Sequence, residues 1–451
     1  MTEPAAPPLS TAPAQPARPP LMIRPVPPAR APKPPTVTGP WRLPMLLAAP
    51  HRLGFSFAML VLVMASGWWL LVQTGRALGW PERRYAVLPL VTHATVMVLG
   101  FMPLFFSGFL FTAGPRWLNV RPYQARRLLP PLGSMAAGWL LWLIGGRWGL
   151  DLALLGLALA CLGLGWMYAL FWRLIAASKQ PDRVHATAAG VGGIVGTLCL
   201  AGIGIALLTR QPALALALAR TALWGCIVVT FVSVAHRMIP FFTSGVLPLI
   251  AVWRPLWVLW LMLGVAAFEV LAVWVDHVAP SAHAWPLWTV TVIAVETLTG
   301  GVLLWLAVVW GLVQSLKDRL LAMLHVGFVW LGLALLYSAA SQALWLLTGQ
   351  ALLGLGALHA LSIGFLGSLM MAMVTRVSCG HSGRSLVADD LVWALFRLLQ
   401  VAVGLRLLAA AQGMPPWLTA LTALLWTAVV AVWALRYGNW YGRPRIDGNP
   451  G

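Results

Sequence analysis

The stretch LWVLWLMLGVAAFEVLAVWV, residues 256–275, decides the fold class of this chain. Only one of its residues, Glu269, is charged. As a helix the stretch would extend over about 30 Å, which is the thickness of the hydrocarbon core of a bilayer. It is apolar on every face, whereas a barrel strand would alternate apolar and polar residues. The stretch therefore predicts a membrane-spanning helix.

Eleven other runs, each of about 17–27 residues, share this character and are long enough to cross a bilayer. The chain is therefore predicted to be an all-α, polytopic membrane helix bundle with about twelve transmembrane helices. We place the spans at residues 53–73, 86–112, 129–145, 151–175, 186–208, 221–242, 256–275, 287–313, 320–347, 353–375, 391–410 and 417–435.

The composition of the 451-residue chain requires lipid as the solvent for much of its surface. Hydrophobic residues make up 60% of the sequence and charged residues 9%, whereas soluble proteins are about 25% charged. The mean hydropathy is +0.84. A net charge of +19 could suggest nucleic-acid binding. That function needs a basic face on a soluble domain, and the sequence offers no such domain, so nucleic acid is excluded as a partner.

Lysine and arginine are distributed unequally over the two sides that twelve spans create. Of 30 such residues, six fall opposite the N terminus and one, Arg406, lies within a span, while the others share the N-terminal side. Because cytoplasmic loops are enriched in these residues, we expect both termini in the cytoplasm and the protein in a bacterial inner membrane. The six opposite-side residues are Arg76, Arg83, Arg84, Arg147, Arg210 and Arg220.

The chain divides into three segments. Residues 1–40 are rich in proline, which fixes φ and removes backbone donors, so we expect a disordered cytoplasmic tail. This tail lacks the apolar run of a cleavable signal peptide. Residues 41–440 are predicted to form the transmembrane helical domain, and residues 441–451 a short cytoplasmic tail.

Five polar side chains are predicted in the outer half of the bundle. Ionisable groups are costly in hydrocarbon, so each is a functional candidate. His93 and His359 enter from the outer side at nearly equal depth, as two ligands of one haem b would require. Arg406 could neutralise a haem propionate, and Glu269 and Glu296 could transfer protons. In the alternative interpretation each group forms a hydrogen bond between helices and binds nothing.

A second set of histidines is predicted toward the cytoplasm. His51, His236, His325 and His381 lie near the inner ends of their spans, and neutral imidazole is a common ligand for copper, zinc and haem iron. These four are therefore candidate metal ligands. The remaining histidines are expected in solvated loops: His185 in a basic inner loop, and His277 and His283 in an outer loop.

Several segments together resemble the NnrS family of haem- and copper-containing membrane proteins. The strongest ends in a Gly-His-x-Gly-Arg loop that contains His381 and Arg384, and a span with His359 and Arg376 precedes it. A further segment begins at Arg237. In chain order the matching segments are PHRLGFSFAML (50–60), HATVMVLGFMPLFFSGFLFTAGPRW (93–117), RMIPFFT (237–243), LHVGFVWLGLALLYSA (324–339) and ALHALSIGFLGSLMMAMVTRVSCGHSGRSL (357–386).

The sequence departs from the family pattern at two places. The family typically has His-Ala-His-Glu-Met in its second span, where this chain reads His93-Ala94-Thr95-Val96-Met97. The second histidine and the glutamate are therefore absent. If these two residues bind metal or move protons in the family, this protein lacks one such centre. His236 also stands where the family usually has glycine.

The resemblance implies haem b, copper and a role in the response to nitric oxide or nitrosative stress. The implied chemistry is redox chemistry at an intramembrane haem, with nitric oxide or an iron–nitrosyl species as substrate and an unidentified electron donor. Two alternatives stay open at this point. One is a proton-coupled small-molecule transporter without a metal cofactor, and the other is a non-catalytic haem-based sensor or assembly partner.

Overall fold

The computed structural model of the protein describes residues 39–80, 84–247, 252–279 and 285–448. These residues form helices joined by short turns, without a strand among them. Twelve helices are long and apolar enough to cross a membrane, which confirms the predicted fold class. We number them α1 Pro50–Ala77, α2 Pro89–Leu118, α3 Ala125–Trp148, α4 Leu150–Ala177, α5 Val184–Leu208, α6 Pro212–Val246, α7 Leu256–Val278, α8 Pro286–Val309, α9 Arg319–Thr348, α10 Gly356–His381, α11 Asp390–Ala410 and α12 Pro416–Tyr441.

Most helices extend beyond the predicted spans, because helix geometry continues past the apolar run into the interface. The largest difference is in α6, which begins at Pro212 rather than at residue 221. Proline is favourable in the first turn of a helix, where its missing N–H has no intrahelical partner. The longer helix places Arg220 within α6 rather than in the loop that precedes it.

Glycines allow neighbouring helices to approach closely. A Cβ atom on Gly138 of α3 would lie 2.5 Å from the carbonyl oxygen of Gly156 on α4, and a Cβ on Gly156 would lie 2.6 Å from the carbonyl oxygen of Gly138. Gly300 of α8 and Gly332 of α9 face each other in the same way, at 2.9 Å. In lipid, packing between small residues replaces the hydrophobic effect as the force that associates helices.

The first and last spans pack together and bring the two ends of the described chain to one face. The indole Nε1–H of Trp426 on α12 donates to the hydroxyl of Ser66 on α1 at 2.8 Å. The backbone N–H of Arg42 donates to the carbonyl of Gly442 at 2.7 Å. We call this face, at Arg42 and Gly442, the terminal face and the opposite one the distal face. That the terminal face is cytoplasmic stays a prediction from the charge distribution.

Three spans are interrupted by irregular turns. In α2 the helical segments Pro89–Leu99 and Phe101–Leu118 meet at Gly100. Pro103 explains this break, because its ring clashes with the carbonyl four residues earlier, at Leu99. In α6 residues Leu223–Val228 are π-helical, and in α10 residues Ala360–Gly367 are π-helical. Single π-helical turns within α-helices occur frequently at functional sites.

Candidate cofactor site

One cavity near the distal face collects three of the predicted site residues. His93 of α2, His359 of α10 and Arg406 of α11 all line it, and we call it the distal cavity. His93 is the fifth residue of its helix and His359 the fourth, so the two imidazoles enter from the distal face at depths that differ by about 1.5 Å. The structure thus brings together the two histidines that the sequence placed at equal depth.

The two imidazoles are held in different ways. The His93 ring stacks on Trp69 of α1, with ring centroids 3.8 Å apart and an interplanar angle of 15°. The His359 Nδ1–H donates to the carbonyl of Leu355 at 2.8 Å, because a carbonyl can only accept. This bond leaves His359 Nε2 with a free lone pair. A hydrogen bond from the second ring nitrogen is the usual means of orienting a metal-binding histidine.

Two arginines of the distal cavity form no ion pair with any residue that the structure describes. The Nη1 of Arg406 is buried without a hydrogen bond in the described part of the chain. Arg220 also lines the cavity, and no ion pair of the described residues involves it. A guanidinium in an apolar site is costly without a counter-charge. Arg406 therefore favours a ligand with an anionic group, and Arg220, which is exposed, is available to bind a second one.

The walls of the distal cavity are mainly apolar and partly flexible. Trp69, Trp426 and Phe101 line it together with Met97 and Met102. Its volume of about 180 Å³ is smaller than the 300–1,000 Å³ typical of small-molecule sites. Methionine side chains have three rotatable bonds and adapt their packing readily. A haem would therefore have to displace these methionines on binding.

The helix irregularities border the distal cavity. Leu223 and Ile227 belong to the π-helical segment of α6, and Ile363 and Leu366 to that of α10. Phe101 follows the break in α2. A π-helical turn rotates the residues before it relative to those after it. The backbone irregularities of three spans thus set the direction in which cavity-lining side chains point.

The two predicted proton carriers lie in a second cavity, which we call the acidic cavity. Glu269 of α7 and Glu296 of α8 line it, and it measures about 470 Å³. The two carboxyl groups are in contact with each other, and Glu296 also contacts the hydroxyl of Ser338. Arg220 lines the acidic cavity as well as the distal cavity, as do Leu355 and Leu358.

The four inner histidines are divided among three places. His51 and His381 lie together at the terminal face, with ring centroids 4.4 Å apart. The His325 Nε2–H donates to the hydroxyl of Thr243 at 2.9 Å, because that hydroxyl already donates to a carbonyl. His236 Nε2–H donates to the carbonyl of Pro255 at 3.1 Å. The four histidines do not converge on one place. Their assignment as metal ligands stays a prediction.

His185 corrects one expectation from the sequence. It was predicted in a solvated basic loop, but it is the second residue of α5 and is 2% exposed. Its Nε2–H donates to Nδ1 of His236 at 2.9 Å. His277 also lies in a helix, in the last turn of α7, and its ring contacts Trp274. His283 is outside the described residues.

The arginines of the family motifs lie over aromatic rings. The guanidinium of Arg237 is 5.1 Å from the ring centre of Trp117, that of Arg376 is 3.9 Å from Phe242, and that of Arg384 is 4.0 Å from Trp440. Such cation–π contacts contribute about 0.5–2 kcal/mol each. These contacts link α6 to α2, α10 to α6, and the segment after α10 to α12.

The surroundings of His51 and His381 are strongly basic. Arg52 and Arg445 act electrostatically on both rings. A hydrogen bond to the carboxylate of Asp447 raises the pKa of Arg445, so this residue stays charged. Among the residues that the structure describes, no three His, Cys, Asp or Glu side chains gather into a group that could hold a metal ion. The positive charges thus oppose a metal cation at this pair.

Comparison with known families gives a match over most of the chain. The NnrS family model, described as NnrS protein, matches residues 45–445, nearly the whole chain. The chain belongs to the NnrS family. Members of the NnrS family are membrane proteins of the nitric oxide response and are generally haem-binding. No curated protein matches the chain.

Two parts of the site could not be recognised from the sequence. In the sequence, Arg220 was only one of the six basic residues assigned to the side opposite the N terminus. Trp69 is one of 26 tryptophans, most of which an interfacial belt explains. Their roles depend on the rotation of α6 and α1 about their axes, which hydropathy along the chain does not determine.

Proposed function

We propose that the protein is a haem-binding protein of a bacterial inner membrane that acts in the response to nitric oxide, with haem b in the distal cavity. The observation that carries this proposal is the convergence of two imidazoles and two guanidiniums, those of Arg406 and Arg220, in one largely apolar cavity. A haem presents an iron that binds imidazole, two propionates that bind cations, and an apolar macrocycle. The donors in the cavity match each of these groups.

His359 would hold the haem iron. Its Nδ1–H is bound to the Leu355 carbonyl, which fixes the tautomer and directs the Nε2 lone pair away from the backbone. His93, oriented by the stack on Trp69, would contribute a second imidazole to the haem site. Arg406 and Arg220 would bind the propionates. When bound, the haem would supply a site for nitric oxide and for one-electron redox chemistry.

The proposed substrate is nitric oxide or an iron–nitrosyl species. The electrons for the redox reaction would come from an external donor. The apolar walls formed by Trp69, Trp426 and Phe101 favour a small uncharged molecule and limit the entry of bulk water. We assign no residues to copper. The described residues provide no group of three ligands, and the His51–His381 pair is surrounded by positive charge.

The test is an absorption spectrum of the purified protein with and without nitric oxide. The proposal predicts haem bands that shift when nitric oxide is added to the reduced protein, and that His359→Ala lacks. A protein that purifies from haem-replete cells without visible absorption would contradict it and would favour the transporter alternative. A haem protein whose bands do not respond to nitric oxide would support the proposed cofactor and contradict the proposed substrate.

A further inference from the structure

The acidic cavity contains two carboxyl groups in contact with each other within the membrane. Glu269 is 9% exposed and Glu296 is 2% exposed. Each carboxyl group has one oxygen that is buried without a hydrogen-bond partner in the described part of the chain, Oε1 of Glu269 and Oε2 of Glu296. The two side chains come from different helices, α7 and α8, so the contact results from helix packing.

Two ionised carboxylates in contact with each other would repel strongly in an apolar environment. Their contact is explained by a proton shared between them or by a cation bound to both. A cation of the calcium type takes six to eight oxygen ligands, and the part of the chain that the structure describes contains no cluster of three His, Cys, Asp or Glu side chains. A shared proton is thus the favoured explanation.

The cavity has room and polar groups for water. Its volume of about 470 Å³ corresponds to on the order of ten water molecules at about 30 Å³ each. Thr289, Ser338 and Gln342 contribute hydroxyl and amide groups to its lining, and the charged groups that face the carboxyl pair are Asp276 and Arg220. Water held by such groups could carry protons to and from the pair.

We propose that Glu269 and Glu296 form a proton-binding site that exchanges its proton with the aqueous phase at the distal face and is coupled to the distal cavity. In the exchange, a water-bound proton moves to a carboxylate oxygen of the pair and leaves by the same route. The coupling rests on the proposed haem function, and on the shared lining by Arg220, Leu355 and Leu358. Leu355 is also the residue whose carbonyl accepts from His359.

The proton site can be tested by labelling with dicyclohexylcarbodiimide, an apolar reagent that adds to protonated carboxyl groups in membranes. The full-length protein in native membranes is treated at neutral pH and its peptides are analysed by mass spectrometry. We expect about one adduct per chain, on Glu269 or Glu296, because one proton is shared. The double variant E269Q/E296Q should show no adduct in this region.

Asp151→Asn is the matched control, since Asp151 is an exposed carboxylate in the first turn of α4. This variant should be labelled at the glutamates to the same extent as the wild type. Absence of an adduct on both glutamates in the wild type would overturn the proposal. This result needs no variant, so it holds even if the double variant does not fold.

The coupling is tested by a redox titration of the haem at several pH values. The midpoint potential of the wild type should fall as pH rises, because loss of a nearby proton favours the oxidised haem. In E269Q/E296Q it should become independent of pH, and an unchanged pH dependence would overturn the coupling. Labelled glutamates in a protein without haem would support the proton site and contradict the proposed function. A haem protein without labelled glutamates would contradict the proton site and would leave the proposed haem function supported.

Discussion

Arg406 is the residue whose charge is least compensated in the distal cavity, and its replacement gives a two-sided prediction. In the haem-free protein Arg406→Met should increase the free energy of unfolding by about 1 kcal/mol, because it removes a half-buried charge whose Nη1 has no hydrogen-bond partner among the described residues. In the haem-bound protein the same variant should lower the midpoint potential, since a nearby cation favours the reduced haem. Thermal unfolding and redox titration measure the two effects.

Arg397→Met is the control, because Arg397 is on the same helix but does not line the distal cavity. It should leave the midpoint potential unchanged. The proposed role of Arg406 would be wrong if Arg406→Met and Arg397→Met had the same effect on the haem.

Single residues show what the sequence could and could not determine. The equal depth of His93 and His359 follows from counting residues along two spans, and it predicted their shared cavity. His185 was missed because the predicted span began at residue 186, whereas α5 begins at Val184 and buries its first turn. Its partner His236 lies 51 positions away on α6, and the sequence does not show which helices are neighbours.

The π-helical segment of α10 is the element that directs His359 into the distal cavity. A π-helical turn contains one residue more than an α-helical turn. Deleting Ser362 should therefore restore a regular α-helix and rotate His359 by about 100° relative to residues 368–381. We expect normal membrane insertion and loss of most of the bound haem, measured as the ratio of haem absorption to protein.

Deletion of Gly413, in the turn between α11 and α12, is the control for a chain shortened by one residue. It should retain haem, because the turn does not line the distal cavity. Full haem content after deletion of Ser362 would show that the irregular turn does not position the ligand.

The contact between α3 and α4 gives a prediction about stability at the scale of the element. Gly138→Val should decrease the free energy of unfolding by about 1–3 kcal/mol, because the added Cβ would meet Gly156 and Ala160 backbone atoms at 2.5 Å. Gly133→Ala on the same helix, where no atom lies within 4 Å of the added Cβ, should have little effect. Thermal unfolding in detergent compares the two, and equal midpoints would contradict the close packing.

At the scale of the whole molecule, the number of spans was predictable but their arrangement was not. Each apolar run is a local property, so all twelve helices could be recognised by composition and length. The separation of the five outer polar groups into two cavities depends on which helices are neighbours. α7 and α8 carry Glu269 and Glu296 to the acidic cavity, while α2, α10 and α11 surround the distal cavity.

The orientation of the whole bundle is a prediction of its own. Because the sequence assigns all but seven of the 30 Lys and Arg residues to the side of the N terminus, a reporter fused after Gly451 should be cytoplasmic. A reporter inserted near Ala282, which lies outside the described residues, should be periplasmic. A periplasmic reporter at the C terminus would contradict the predicted orientation and would reverse the side from which the acidic cavity receives protons.

The central claim is that His93 and His359 hold one haem b in the distal cavity, and haem content tests it most directly. The amount of haem b per chain is measured in purified wild type, His359→Ala, His93→Ala and the control His277→Ala, whose ring lies in the last turn of α7. The wild type and His277→Ala should contain equal amounts of haem. In His359→Ala the content should fall at least about tenfold, and in His93→Ala the haem bands should shift or disappear. Wild-type haem content and an unchanged spectrum in either His359→Ala or His93→Ala would contradict the account.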